Sequence, residues 1–263
     1  MSAGSIILAG AAASLIAGVA TVVGALPLLG LRPPSEEQQN LLLGFAAGVM
    51  LAASFFSLII PAIDAARDHG SGRLAASGQL TAAVLLGALA IAELNRRVPP
   101  LDQLGIGPPG IAASASARRI WLLVAAITFH NFPEGMAVGV SFGGGDFDRG
   151  RMTALGIGLQ NIPEGLAVGV ALMAIGHSRA KAVLAALASG LVEPVAGLIG
   201  VSIVTAAHAF LPWGLGLAAG AMIYVVAADI IPDAHARIAG GGRLGSGLMA
   251  GLGAMMFLDT LFG

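Results

Sequence analysis

Long apolar stretches separated by short polar segments make up most of this chain. The stretches lack the period-two alternation of a membrane-crossing strand, and most have the roughly 20 residues that a helix needs to cross a bilayer. We therefore predict an all-α integral membrane protein in which eight transmembrane helices form a helical bundle, with residues 1–263 as a single transmembrane domain. The predicted spans lie at about residues 5–30, 40–64, 79–95, 118–142, 151–176, 180–207, 212–233 and 244–262.

The composition excludes an ordinary soluble domain. Of the 263 residues, 57% are hydrophobic and only 10% are charged, whereas soluble chains carry about 25% charged residues. The mean hydropathy is +0.89, and the 39 glycines suit closely packed membrane helices. The absence of cysteine rules out disulfides and thiolate metal ligands. No cationic segment precedes the first apolar stretch, so we expect a retained span rather than a cleaved signal peptide.

Lysine and arginine are unevenly distributed between the two sets of predicted loops. With eight spans both termini lie on one side of the membrane, and nine of the 13 basic residues fall on the opposite side. Because cytoplasmic loops carry the excess of basic residues, we predict a multi-pass protein of the cell inner membrane with both termini extracytoplasmic. The net charge of −1 gives no sign of a nucleic-acid partner.

A polar motif occurs twice inside this apolar background. It reads HNFPEGMAVGV at residues 130–140, in the fourth predicted span, and QNIPEGLAVGV at residues 160–170, in the fifth. Eight of the eleven positions are identical. Polar groups within a membrane span are costly, so a duplicated set of them points to a function.

The spacing within each copy brings its polar side chains together. Residues i and i+4 share a helix face, so His130 lies with Glu134 and Gln160 lies with Glu164. Each copy adds an asparagine one step around the helix, Asn131 and Asn161. If the two helices pack side by side, an imidazole, two carboxylates and three amides converge. This set of nitrogen and oxygen donors suits a divalent transition metal.

Prolines add backbone oxygens to this set. Pro133 and Pro163 have no N–H, so one carbonyl in the preceding turn of each helix is available to a metal or to water. Pro194 does the same in the sixth span and follows Glu193, whose carboxylate would be a third at the same depth. Met50 in the second span has a thioether that can ligate soft metals, although plain packing is the commoner role of a buried methionine.

Three other interpretations of the motif remain open. Glycines and asparagines also serve as contacts between membrane helices, but packing alone does not account for two buried carboxylates beside a histidine. An intramembrane metalloprotease would need a motif of the His-Glu-x-x-His type, which the chain lacks. A proton-coupled carrier of another substrate could use Glu134, Glu164 and Glu193 as a relay.

The duplicated motif resembles that of the ZIP family of divalent metal transporters. The resemblance is to the bacterial GufA-like branch, in which the second copy starts with Gln, and it covers nearly the whole chain. It implies a transporter, not an enzyme, that carries Zn²⁺ into the cytoplasm without a catalytic cofactor, with Fe²⁺, Mn²⁺ or Cd²⁺ as alternative cargo. It also implies that spans one, four, five and six move against the other four, and that the partners are metal ions, the lipid bilayer and, in a possible homodimer, a second copy.

The resemblance further implies two adjacent metal sites near the middle of the membrane. The first would use His130, Glu134, Gln160 and Glu164, with Met50 nearby. The second would use the other three candidates, with both motif glutamates bridging: Asn131, Asn161 and Glu193. Relatives of this branch can have Asp at the position of Asn161, so the second site is expected to bind metal more weakly here.

Overall fold

Helices make up the architecture of the described part of the chain. The computed structural model describes residues 2–68, 72–97, 115–232 and 243–262, and no β-strand occurs within those ranges. The helices are α1 (Ala3–Ala25), α2 (Glu36–Ala53), α3 (Ile60–Asp68), α4 (Arg73–Arg97), α5 (Ala115–Gly143), α6 (Phe147–Ala174), α7 (Arg179–Gly190), α8 (Val192–Ala206), α9 (Leu211–Val225) and α10 (Leu244–Phe262).

Consecutive helices combine into segments that are long enough to cross a bilayer. Within the described ranges, seven segments have the required length and apolar character: Ala3–Leu29, Glu36–Asp68, Arg73–Leu94, Phe147–Ala174, Arg179–Ala206, His208–Ala228 and Leu244–Leu261. The 29 residues of α5 give a length of about 43 Å, which is sufficient for an eighth crossing. The predicted spans overlap these segments, and their ends differ by a few residues.

Polar caps explain why several helices begin before the apolar stretch does. Ser35 accepts a hydrogen bond from the backbone N–H of Gln38, and the Gln38 side chain accepts one from the backbone N–H of Ser35. This capping box starts α2 four residues before the apolar stretch begins at Asn40. Asp146 and Ser178 cap α6 and α7 in the same way with one bond each.

Two of the spans change helical pitch, which the apolar pattern does not predict. A π-helical segment, Ser54–Ile59, joins α2 to α3, and another, Val226–Ile230, follows α9. Each ends two residues before a proline, Pro61 or Pro232. Because proline cannot donate to the helical ladder, a local shift of hydrogen bonding at these positions has a physical cause.

The sixth span is not one continuous helix. It divides into α7 and α8 at Leu191, just before Glu193 and Pro194. Since Pro194 offers no N–H to the carbonyl of Gly190, the ladder is interrupted there. The break places Glu193 in the first turn of α8, where its carboxylate lies near the positive end of the helix dipole.

The helices pack in pairs that correspond to one another. α1 packs mainly against α6, and α8 packs mainly against α5, while α2 pairs with α10 and α4 pairs with α9. Exchanging the first three spans for the last three, and α5 for α6, maps each pair onto another and maps one π-helical segment onto the other. The structure therefore has an internal repeat around the central pair α5 and α6, which carry the duplicated motif.

Glycines allow the backbones around that central pair to touch. A Cβ on Gly135 of α5 would collide with the backbone of Glu193, and one on Gly165 of α6 would collide with the backbone of Thr21. These contacts hold α8 against α5 and α1 against α6 at the level of the motif. They fix the distances between the polar side chains described next.

Candidate metal site

The polar residues of the two motif copies are buried where α1, α5, α6 and α8 meet. Asn131, Glu134, Gln160 and Asn161 are 0% exposed, and Glu164 is 2% exposed. Glu193, from the start of α8, is also fully buried. Burial of three carboxylates in one part of the bundle carries a large desolvation cost, so the structure must contain compensating interactions.

A hydrogen bond between the two copies provides the first compensation. The Gln160 side-chain amide donates through Nε2 to Oε1 of Glu134 at 2.6 Å. This bond joins α5 to α6 at the position where the first copy has His130 and the second has Gln160. It satisfies one oxygen of Glu134, while the other, Oε2, has no partner among the described residues.

Asn161 connects three helices through one amide group. Its Nδ2 donates to Oε1 of Glu193 at 2.6 Å and to the backbone carbonyl of Ala17 at 2.9 Å. The first bond links α6 to α8 and the second links α6 to α1. Asn161 therefore acts as a donor to Glu193, a role that an aspartate at this position could not fulfil.

Glu164 lies close enough to Glu134 and Glu193 to interact electrostatically with both. In their ionised forms the three carboxylates would repel one another. Neither oxygen of Glu164 has a hydrogen-bond partner in the described part of the chain. A group of like charges in a low-dielectric interior is stabilised by a cation, so the arrangement favours a positively charged ligand.

Oxygen atoms without partners define the chemistry that this group can offer. Besides both oxygens of Glu164, five further buried oxygens of the motif residues and Glu193 have no hydrogen-bond partner among the described residues: Oε2 of Glu134, Oε2 of Glu193, Oε1 of Gln160, Oδ1 of Asn131 and Oδ1 of Asn161. Among the described side chains, no three His, Cys, Asp or Glu residues form a ready-made metal-ligand group. A site here consequently depends on amide oxygens as well as carboxylates, which suits divalent ions that accept oxygen ligands.

The structure gives less information about two of the predicted site residues, His130 and Met50. His130 lies within α5, one turn before Glu134, but its side chain is outside the part of the structure that is described. Met50 is fully buried in α2 and belongs to the same apolar cluster as Ala17 and Ala137.

The structure adds polar features that the motif spacing could not identify. The carbonyl of Ala17 is a partner of Asn161, and the buried hydroxyl of Thr21 lies one turn further along α1. The sequence contains a weak signal for this face of α1, since Ser14 and Thr21 are polar, lie two turns apart and interrupt an otherwise apolar span.

A second buried carboxylate group lies on a different pair of helices. Asp259 of α10 accepts a hydrogen bond from the hydroxyl of Ser57 at 2.7 Å. Ser57 is part of the π-helical segment after α2, so this bond ties the α2–α10 pair together where the helical pitch changes. It accounts for an aspartate whose place in an apolar span has no explanation in the sequence pattern.

Comparisons with known proteins match the chain along most of its length. The model of the family described as ZIP Zinc transporter matches residues 110–259, which include both motif copies. The zinc transporter GufA of Myxococcus xanthus is 42% identical over 258 residues, 97% of this chain and 99% of that protein. The zinc transporter ZIPB of Bordetella bronchiseptica is 46% identical over 93% of this chain and 78% of its own length. The zinc transporter ZIP11 of Homo sapiens is 34% identical over 87% of this chain and 91% of its own length.

Proposed function

This chain belongs to the ZIP family of zinc transporters, and from that premise we propose that zinc enters the cytoplasm through a midplane site on α5, α6 and α8. The protein is a multi-pass membrane transporter of divalent metal ions and not an enzyme. Zinc is its cargo. The proposal concerns the route of the ion and the residues that hold it.

The observation that carries the proposal is the group formed by Glu134, Glu164 and Glu193. All three carboxylates are buried, their ionised forms would repel one another, and each has at least one oxygen without a hydrogen-bond partner among the described residues. Two amide donors compensate one oxygen each on Glu134 and Glu193, and Glu164 receives no donor from the described residues. A divalent cation would supply the missing positive charge.

The distribution of donors supports one or two adjacent positions for the cargo. A first position would use His130, Glu134, Gln160 and Glu164, with Met50 nearby. A second would use the asparagines and the third glutamate, with both motif glutamates shared: Asn131, Asn161 and Glu193. The mixture of nitrogen and oxygen ligands without a thiolate favours an affinity low enough for release and permits Fe²⁺, Mn²⁺ or Cd²⁺ as alternative cargo.

The remaining parts of the proposal concern the placement of the chain. We infer a single transporter domain in the cell inner membrane with both termini extracytoplasmic, because this orientation puts the excess of basic residues in the cytoplasm. A homodimer is the assembly that the resemblance implies. The lipid bilayer covers the exposed apolar side chains, such as Leu8, Leu89 and Phe257.

Zinc uptake into proteoliposomes tests the proposal. We expect the wild-type protein to carry Zn²⁺ down a gradient, and His130→Ala and Glu164→Ala to lower uptake about tenfold or more, since loss of even an indirect metal contact commonly costs 10–100-fold in affinity. Glu93→Ala is the matched control, because Glu93 is a half-exposed carboxylate that pairs with Arg96 and Arg97. Uptake that is equal in all four proteins would place the route elsewhere, and absence of uptake in the wild type would refute zinc as cargo under these conditions.

A further inference from the structure

The hydroxyl group of Thr21 is a buried polar group within the first span. Thr21 is 1% exposed within α1, and its Oγ1 has no partner in the ranges that the structure describes. A threonine in a helix usually donates to the carbonyl four residues before it, which here is Ala17. That carbonyl instead accepts a hydrogen bond from Asn161. Thr21 therefore carries a polar group into an apolar span without the local bond that would normally satisfy it.

The surroundings of this hydroxyl belong to the candidate site. Its Oγ1 lies 2.9 Å from the position that a Cβ on Gly190 would occupy. Gly190 is the last residue of α7, at the break that leads into Glu193. On the other side, the Thr21 backbone contacts Gly165, the residue after Glu164. The hydroxyl thus lies at the junction of α1, α6 and the broken sixth span.

The absence of a side chain at Gly190 leaves room for the Thr21 hydroxyl. A side chain there would meet Oγ1 of Thr21 and the backbone of Gly18. Pro194 offers no N–H to the carbonyl of Gly190, so this carbonyl loses its usual helical donor. The Thr21 hydroxyl therefore lies against Gly190, whose carbonyl lacks its usual helical donor.

We propose that Thr21 is a further cargo-positioning residue, whose hydroxyl holds a water molecule of the hydrated metal ion beside Asn161 and Glu193. The inference rests on the function proposed above. A buried water needs two to four polar partners, and Oγ1 of Thr21, Oδ1 of Asn161 and Oε2 of Glu193 each lack one among the described residues. A neutral hydroxyl retains such a water without adding a charge that would slow the release of the ion.

The direction of α1 assigns this residue to the exit side of the site. In the proposed orientation α1 runs from the outside towards the cytoplasm, so Thr21 lies one turn closer to the cytoplasm than Ala17. Gly190 precedes Glu193 in a span that runs in the opposite direction and lies on the same side. An ion that leaves Asn161 and Glu193 for the cytoplasm would therefore pass the Thr21 hydroxyl.

Paired substitutions separate the hydroxyl group from the packing of the side chain. Thr21→Val keeps the shape and removes the hydroxyl, while Thr21→Ser keeps the hydroxyl and removes the methyl group. Thr205→Val is the matched control, because Thr205 also has a buried hydroxyl without a partner among the described residues, near the far end of α8. In zinc uptake by proteoliposomes, we expect Thr21→Val to raise KM about fivefold, as loss of one hydrogen bond would, and the other two variants to keep the wild-type KM.

A third substitution gives a readout that a packing role would not change. Thr21→Cys places a thiol in a chain that has no cysteine, and thiols favour softer ions. Because the thiol can displace the bridging water and bind the ion directly, the KM for Cd²⁺ relative to that for Zn²⁺ should fall in this variant. This measurement also decides the question if Thr21→Val does not fold, since the cysteine side chain is no larger than that of threonine.

The outcomes distinguish this inference from the function on which it rests. An unchanged KM in Thr21→Val, an equal rise in Thr21→Ser and Thr21→Val, or an unchanged preference between Cd²⁺ and Zn²⁺ in Thr21→Cys would overturn the role of the hydroxyl while transport stands. Absence of zinc uptake by the wild-type protein would overturn the proposed function and this inference with it.

Discussion

Asn161→Asp should make the metal-free protein less stable and its response to zinc larger. The Asn161 amide donates two hydrogen bonds from a fully buried position, one to Glu193 at 2.6 Å and one to the carbonyl of Ala17 at 2.9 Å. An aspartate carboxylate can make neither bond. It would also place a further negative charge against Glu193.

The magnitude follows from the two bonds that are lost. A neutral hydrogen bond contributes about 1 kcal/mol and one to a charged group about 1.5–3 kcal/mol, so the free energy of unfolding should fall by about 3 kcal/mol in the absence of metal. Zinc reverses part of this loss, because the added carboxylate becomes a ligand and an ion that binds only the folded state stabilises it. The prediction is therefore that Asn161→Asp loses more stability relative to wild type in chelator than in zinc.

Thermal unfolding of the detergent-solubilised protein, in chelator and in Zn²⁺, measures both effects. Asn161→Ala is the control, since it loses the same two bonds and adds no ligand. We expect both variants to unfold at lower temperature than wild type in chelator, and only Asn161→Asp to be stabilised more strongly than wild type by zinc. Equal stability of Asn161→Asp and wild type in chelator, or equal zinc responses of the two variants, would refute the assignment of Asn161 as a donor at a metal site.

Three further substitutions test individual contacts between the helices. Gly135→Ala should lower the free energy of unfolding by about 1–3 kcal/mol, because its Cβ would press against the backbone of α8. Gly253→Ala is the control, since it has open space around it and should leave the unfolding temperature unchanged or slightly raised. Equal effects of the two substitutions would contradict the close contact. Ser57→Ala should lower the free energy of unfolding by about 1–3 kcal/mol, because it removes the donor to the buried Asp259 carboxylate. A variant that unfolds at the same denaturant concentration as the wild type would contradict that bond. Arg179→Ala should lower the free energy of unfolding by about 1 kcal/mol, because it removes two hydrogen bonds to carbonyls at the end of the first span. An unchanged unfolding temperature would show that these bonds contribute nothing to stability.

The duplicated motif predicts much of the site because helical spacing is a local property. Glu134 and Gln160 fall on facing surfaces of adjacent helices, and the structure joins them by a direct hydrogen bond. The Pro194 position likewise predicts an interruption near Glu193, which the structure has as the break between α7 and α8. In both cases the chemistry of one residue type within one turn of helix is sufficient.

The contacts of Asn161 could not be predicted from local sequence spacing. Its amide bonds to the carbonyl of Ala17, which is 144 residues away in the chain, and no spacing rule identifies such a partner. The two π-helical segments are a different case. The repeated Ile-Ile-Pro at residues 59–61 and 230–232 marks both of them, but proline alone does not determine whether a helix kinks, ends or widens.

The central claim is that the cargo ion binds among Glu134, Glu164 and Glu193. The most direct measurement is anomalous X-ray diffraction at the zinc edge from crystals of the zinc-loaded protein. We predict one or two anomalous peaks in the interior of the bundle, with an oxygen of Glu164 at about 2.0–2.2 Å from the ion. Peaks confined to surface carboxylates such as Glu93, with none beside the three buried glutamates, would contradict it.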